Sequence, residues 1–177
     1  IFLLRTDLEK FRHLKEKTVF NYSILQHTSD FSIAFLLLQP ALFIAYDIET
    51  ITLSEEGSIL EGDSDEKSES VENGTTIITC ASFTGIFSDG EIMTWVLPFF
   101  DFMDPHWNSD WEFIKAIEFL QKILNLPNPK CMHNGMYDCL HSIVYRAWPR
   151  NFCLDTMAMA WSQYSSLPKT LDFVASI

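Results

Sequence analysis

Residues Ala41 to Thr50 (ALFIAYDIET) are apolar on both faces as far as Tyr46 and then turn abruptly acidic. A segment able to bury both faces belongs in the middle of a sheet flanked on both sides, so an α/β domain is expected around this strand. Asp47 and Glu49 stand two apart, which puts their side chains on one face. They lie at the strand's C-terminal end, where open α/β sheets place their sites. Neighbouring carboxylates repel, and a bound cation or a shared proton relieves the repulsion. Hard oxygen donors suit Mg²⁺ or Mn²⁺ better than zinc.

The segments that follow alternate in kind. Between Ser54 and Thr75 there are eight acids and one base, with hardly any large apolar residue. This reads as a flexible acidic insertion. Thr76–Phe87 reads as a strand by its β-branched and aromatic content. Ser88-Asp89-Gly90 makes a turn, and Glu91–Phe100 returns as the second arm of a hairpin. Ser109-Asp110-Trp111-Glu112 is a capping-box pattern. It opens a helix striped by Phe113, Ile117, Leu120 and Leu124 and stopped at Asn125–Pro129. Lys130–His133 is a short strand. Gly135–Ala147 is expected as a helix with Met136, Leu140, Ile143, Val144 and Ala147 on its buried face. Phe152–Leu154 is another strand, and Asp155 leads into a helix through Trp161. Thr170 caps a last helix carrying Leu171, Val174 and Ala175. A hairpin followed by alternating helix and strand predicts a mixed sheet with helices on its faces. Upstream, Leu4, Leu8, Phe11 and Leu14 recur at helical spacing among five bases and three acids, which predicts a surface helix.

Asp138 lies on the predicted helix after His133-Asn134, off its apolar stripe, with His141 and Tyr145 on its own face. Asn134 reads as the N-cap. By itself this is a capped helix with a first-turn acid favoured by the helix dipole. A competing zinc site is suggested by Cys131, His133, Cys139 and His141. Cys139 and His141 are two apart on a helix, roughly 200° around it, and cannot aim at one ion. Cys139 is better placed in the core.

Composition narrows the function classes. The chain has 177 residues, enough for one domain with a substantial core. A formal charge of −12 does not suit gripping nucleic acid by bulk charge. Four cysteines without a C-x-x-C pair fit the thiols of a reducing intracellular compartment, such as the cytoplasm. No apolar run reaches the ~20 residues of a membrane span. The first residues turn charged at once, so neither a signal peptide nor secretion is expected. There is no G-x-x-x-x-G-K-[ST] phosphate loop.

Taken together and in order, D-I-E-T-x-x-L (Asp47 to Leu53), H-N-G-M-Y-D (His133 to Asp138), D-T-M (Asp155 to Met157) and the stretch from Leu167 to Ile177 resemble the 3′–5′ proofreading exonuclease domain of bacteriophage-type family A DNA polymerases. That domain belongs to the ribonuclease H-like DEDD exonucleases. The resemblance spans 41–177 less the insertion at 54–75, and leaves 1–40 as an N-terminal helical extension. It implies an α/β fold, a ribonuclease H-like mixed sheet flanked by helices on both faces. It implies catalysis with two Mg²⁺ or Mn²⁺ ions held by Asp47, Glu49 and Asp138. Thr50 and Leu53 would contact the terminal nucleotide, and Asn134 and Tyr137 the sugar and penultimate phosphate. A fourth carboxylate is expected from a later Y-x-x-x-D or H-x-x-x-D, which does not occur before Ile177, so a piece truncated at its C-terminal side is expected. Asp155 and Asp172 do not match it.

The implied partners are a single-stranded DNA 3′ end or primer–template, a polymerase domain in the same longer chain, and replication accessory proteins. Tyr137, Phe99, Phe100 or Trp107 offer stacking surfaces for a frayed strand. Lys130, Arg146, Arg150 and above all Lys169 are candidate phosphate contacts, each weighed against a plain solvated base. The alternatives are a free-standing DEDD exonuclease acting on RNA 3′ ends, and a catalytically inactive scaffold or DNA-binding domain of the same fold.

Overall fold

The computed structural model describes residues 22–53, 75–101 and 104–163. The N-terminal helix, the acidic insertion up to residue 74, Lys169, Asp172 and the last predicted helix lie outside the described residues. Six strands form one sheet: β1 (Tyr22–Ile24), β2 (Phe43–Leu53), β3 (Thr75–Ile86), β4 (Ile92–Pro98), β7 (Lys130–Met132) and β8 (Phe152–Asp155), in the order β1-β4-β3-β2-β7-β8. A two-stranded ribbon joins β5 (Phe100–Asp101) to β6 (Asp104–Pro105). The helices are α1 (Asp30–Leu38), α2 (Asp110–Leu124), α3 (Gly135–Ser142, continued by a 3₁₀ turn at Ile143–Tyr145) and α4 (Thr156–Gln163).

β2 and β3 pair antiparallel from Phe43↔Ile86 to Leu53↔Thr75. Both strands run further towards the insertion than their composition suggested, and Thr75 belongs to β3. β3 and β4 form the expected hairpin, whereas β1–β4, β2–β7 and β7–β8 are parallel. The fold class is therefore the expected mixed α/β sheet flanked by helices.

One aromatic chain ties three helices to the same face of the sheet. Tyr46 stacks on Phe83, Phe83 meets Phe119 of α2 edge-on, and Phe119 stacks on Phe31 of α1. The Tyr46 hydroxyl reaches Ser142 of α3 at 2.6 Å. Ile44, Tyr46 and Ile48 are buried on that face, while Phe43, Asp47 and Glu49 are exposed on the other. Within the described residues β2 is thus covered more fully on one face than its apolar run predicted.

The capping box forms as read, with one shift. Ser109 Oγ accepts from Glu112 N, and the Glu112 carboxylate reaches back to Asn108 N instead of Ser109 N. The most deeply buried side chains of α2 are Ala116, Phe119, Leu120, Ile123 and Leu124; Phe113 and Ile117 only pack against them. α1 lies within the 1–40 stretch expected as a helical extension, although no helical spacing is legible at these positions. Its sequence is apolar all round, and although Phe31, Ala34 and Leu38 are buried, Ile33, Leu36 and Leu37 are exposed.

Lys130 corrects both sequence readings of that residue. It is neither a phosphate contact nor a solvated base: it is fully buried, and its ammonium donates to the carbonyls of Leu126, Asn128 and Arg150. Burial pushes its pKa down to about 8. Lys130→Met would leave these carbonyls without their donor, and a loss of about 2 kcal/mol is expected. The sign of a second effect is fixed by linkage. Between about 8 and the ordinary lysine value of 10.5 the unfolded chain binds more protons at this position, so the lysine's contribution to stability rises with pH. Urea unfolding should show that rise in the parent and not in Lys130→Met.

Candidate active site

β7 is short, and this builds the site. It pairs with β2 only at Ile44↔Lys130 and Ala45↔Cys131, and beyond that point the edge of β2 has no neighbouring strand among the described residues. The Ile44 amide is taken by Pro129 O, but the Ile48 amide is left needing an acceptor. The chain turns at His133-Asn134 into α3, and Asp138 fills the gap: its Oδ1 accepts from Ile48 N at 3.0 Å. An unpaired buried amide is costly, so this bond fixes α3 against β2 and draws a carboxylate to the strand end.

The consequence is an inversion of the predicted helix face. The buried residues of α3 are Gly135, Asp138, Cys139 and Ser142, whereas Met136, Leu140, Ile143 and Val144 are exposed. Of the predicted stripe only Ala147 is buried. Cys139 lies in the core, as expected. Ser142 completes the polar seam by donating to Asp138 O at 2.6 Å.

Asn134 occupies the N-cap position in the left-handed conformation, at φ 56°, and makes no side-chain cap. Asp155 does the capping instead. Its carboxylate accepts from the amides of Asn134 and Gly135 at 3.1 and 3.0 Å, and from Met157 and Ala158 at the start of α4. One acid thereby holds two helix N-termini, where the helix dipole favours negative charge. It also agrees with the reading of Asp155 as structural.

Gly135 has a steric reason to be glycine. A Cβ there would lie 2.6 Å from Phe152 Cζ and 2.7 Å from Met132 Cβ. Gly135→Ala must push α3 off β7 and β8, and a loss of about 1–3 kcal/mol is expected, as for other overpacked positions. Thermal unfolding checks the stability; the expected loss of activity follows from displacing Asp138.

Electrostatics single out the same two acids. Asp138 is 3% exposed, and burial, with the Asp47 charge second, raises its pKa to about 7. Asp47 is exposed overall, yet desolvation by its neighbours lifts its carboxyl, opposed by nearby His133. The His133 ring itself bonds Thr156 at 2.8 Å. Glu49 shares the Asp47 face and is exposed; the opposing strand sets Ser82 against Asp47 and Cys80 against Glu49. The register slips by one residue just after Glu49, with Thr79 unpaired and its hydroxyl donating to Glu49 O. Such bulges re-aim side chains beside sites.

The predicted substrate residues divide. Thr50 Oγ1 and the Tyr137 hydroxyl lie 2.6 Å apart, joining β2 to α3 across the site. Leu53 is half-buried at the far end of β2. Tyr137 is exposed and rests against His141, with ring centroids 4.3 Å apart. Two stacking candidates are excluded by burial: Phe99 is fully buried against Tyr145, and Trp107 is buried with its indole N–H bonded to Pro98 O. Phe100 is half-buried beside Phe113.

A divalent ion fits this donor set in part. Desolvation raises both carboxyl pKa values, and the Asp47 charge adds to the rise at Asp138, a strain that a cation relieves. Among the described residues, no three His, Cys, Asp or Glu side chains close around one point. The pair therefore offers part of a coordination sphere.

No family model matches the chain, and no curated protein does. Solved structures do. The catalytic core of RRP6 from Trypanosoma brucei superposes with a TM-score of 0.51 at 10% identity, covering 89% of this chain and 34% of that one. Trypanosoma brucei RNase D in its GMP complex gives 0.50 at 15% identity, covering 80% and 36%. Escherichia coli RNase D, an exoribonuclease involved in structured RNA processing, gives 0.44 at 17% identity, covering 84% and 30%. The chain spans about a third of the length of these proteins. The first two likenesses give the fold alone: a ribonuclease H-like mixed sheet flanked by helices.

Proposed function

We propose that this chain carries the nuclease half-site of a metal-dependent 3′–5′ exonuclease domain, and that it proofreads as part of a family A-like DNA polymerase. The observation that carries the nuclease reading is the convergence of Asp138 on the Asp47 strand end, from a helix 90 residues away in sequence. Asp47, Glu49 and Asp138 would hold Mg²⁺ or Mn²⁺. When bound, such ions supply an activated water and stabilise the charge on the leaving 3′ oxygen.

The chain's own residues do the rest. The Ile48 amide fixes one Asp138 oxygen and leaves the other available. Ser142 and Tyr46 lock the helix that carries it. Thr50 and Tyr137, joined by their hydroxyl contact, form a polar rim for a terminal sugar or phosphate, and exposed Tyr137 offers a ring to a base. The acidity of the chain is no obstacle, because only a few terminal nucleotides need to fit and the ions carry neutralising charge.

The polymerase assignment rests on the D-I-E-T-x-x-L and H-N-G-M-Y-D resemblance. The fold likeness to RNase D and RRP6 favours a second reading, a DEDD exonuclease acting on RNA. Hydrolysis of matched single-stranded DNA and RNA oligonucleotides, blocked or free at the 3′ end, separates them. Metal-dependent shortening of DNA from a free 3′ end supports proofreading; a marked preference for RNA supports the second reading; no shortening of either removes the nuclease proposal and leaves the scaffold reading.

A further inference from the structure

Tyr137 is held at its backbone, its hydroxyl and its ring. The backbone is set by the next residue, because Asp138 Oδ1 accepts from Ile48 N and fixes this turn of α3 against β2. The hydroxyl lies 2.6 Å from Thr50 Oγ1 across the site. The ring rests on the imidazole of His141, with centroids 4.3 Å apart and planes inclined at 59°. His141 follows one turn later on α3, at the i+4 position where helix side chains meet. The tyrosine nevertheless remains open to solvent, at 43% exposure.

An exposed tyrosine gains little stability from being held. Freezing its torsions costs entropy, and ring area left in water returns no burial energy. What the restraint provides is a flat apolar surface already in place when a ligand arrives, so that binding avoids the cost of ordering it. The hydroxyl is engaged with Thr50, and the group left to present is therefore the ring. Every base has a π-face, so stacking on such a ring tolerates any sequence.

The residue at 141 suits this task. Among the described residues its imidazole has no hydrogen bond, and its ring contact is Tyr137. Burial holds its pKa below the ordinary histidine value, so at neutral pH it is an uncharged ring. The raised carboxyls of Asp47 and Asp138 owe their shifts to burial and to other groups, so a change at 141 leaves the acidic pair alone.

We infer that His141 is a positioning residue which, with Thr50, holds the Tyr137 ring as a stacking platform for the last bases of a single strand and grips that strand without regard to its sequence. The identity of the strand rests on the nuclease reading; the clamp rests on the geometry of Thr50, Tyr137 and His141.

Two measurements on the full chain keep these halves apart. In protein labelled with ¹³C-tyrosine, the Tyr137 ring resonance, assigned through Tyr137→Phe, should be displaced from the free-tyrosine position by the His141 ring current. His141→Ala should return it towards that position, and His141→Phe should keep it displaced. A resonance indifferent to His141→Ala would overturn the clamp, whatever the protein does to DNA. With Mn²⁺ and single-stranded pentanucleotides of deoxythymidine or deoxyadenosine, His141→Ala should raise KM about three- to tenfold for both. It should leave kcat within about twofold, as expected for lost binding alone, and His141→Phe should restore KM. A fall in kcat at unchanged KM, or an effect confined to one base, would overturn the stacking role. Failure of His141→Phe to restore KM would do the same, since an imidazole nitrogen would then be the contact. A parent that neither shortens nor binds the pentanucleotides overturns the nuclease reading and the stacking role together, with the clamp still decided by the resonance.

Discussion

Asp47→Ala combined with Glu49→Ala abolishes metal-dependent shortening of 3′ ends while the domain stays folded. Both side chains are exposed at the end of β2, on the face away from Tyr46 and Phe83. Their removal takes away no core contact, and surface changes of this kind alter stability by about 0.5 kcal/mol or less. Removing Asp47 also relieves the buried Asp138 of its neighbouring charge. The chemistry fares differently. Ion-mediated charge stabilisation contributes several kcal/mol to the transition state, and about 4 kcal/mol corresponds to roughly a thousandfold in rate. The expected result is a rate near background in a protein with an unchanged unfolding curve. Undiminished digestion by this double variant would remove the nuclease assignment.

Asp138→Asn stabilises the metal-free protein at pH 8. The native carboxyl has its pKa raised from 3.8 to about 7, so the folded chain binds more protons there than the unfolded chain across that interval. By linkage, the contribution of Asp138 to stability is fully present below pH 3.8 and is lost as pH rises through about 7. At pH 8 the buried carboxylate is charged beside Asp47 and costs about 2–4 kcal/mol. Asparagine keeps an oxygen for the Ile48 amide and discards the charge. Urea unfolding at pH 5 and pH 8 should therefore show a smaller decline in the variant than in the parent, the parent's extra decline falling below about pH 7 and levelling off above it. Saturating Mg²⁺ should recover much of the parent's stability at pH 8 and little of the variant's. Equal pH dependence in parent and variant would show that Asp138 is not the group under strain.

How far the sequence discloses this structure depends on which interactions are local. The β3–β4 hairpin, the Ser109 cap and the short strands β7 and β8 are encoded within a few residues of themselves, by β-branched runs, a turn tripeptide and a hydroxyl three residues before an acid. α3 is not. Its apolar stripe of Met136, Leu140 and Val144 predicts the wrong buried face, because hydrophobic periodicity does not register the orphaned Ile48 amide that pulls Asp138 inward. Lys130 deceives for the same reason: three carbonyls from separate loop residues, invisible in sequence, make a buried ammonium tolerable. α1 shows no clear period because it is apolar on every side. The Asp47–Asp138 pairing was legible only through motif order. The signal that could have located Asp155 as a double cap was its position just before a helix, since Asp at an N-cap is favoured on its own account; the second helix it caps is a tertiary fact.

The apolar face of α3 has a functional corollary. A helix that spends its buried side on Asp138, Cys139 and Ser142 gains little from burial of aliphatic surface, and it is held instead by hydrogen bonds to β2 and by the Gly135 contact with β7. Stability is given up where the carboxylate is held, as sites under functional constraint commonly do.

The central claim is that Asp47 and Asp138 share a divalent ion. Mn²⁺ titration of the full chain, followed by calorimetry and by the loss of free Mn²⁺ paramagnetic signal, tests it without reference to any substrate. Binding should be weakened at least tenfold by Asp47→Asn and by Asp138→Asn alike, with proton release near pH 7 in the parent only. Mn²⁺ binding unchanged in Asp138→Asn would contradict the shared site.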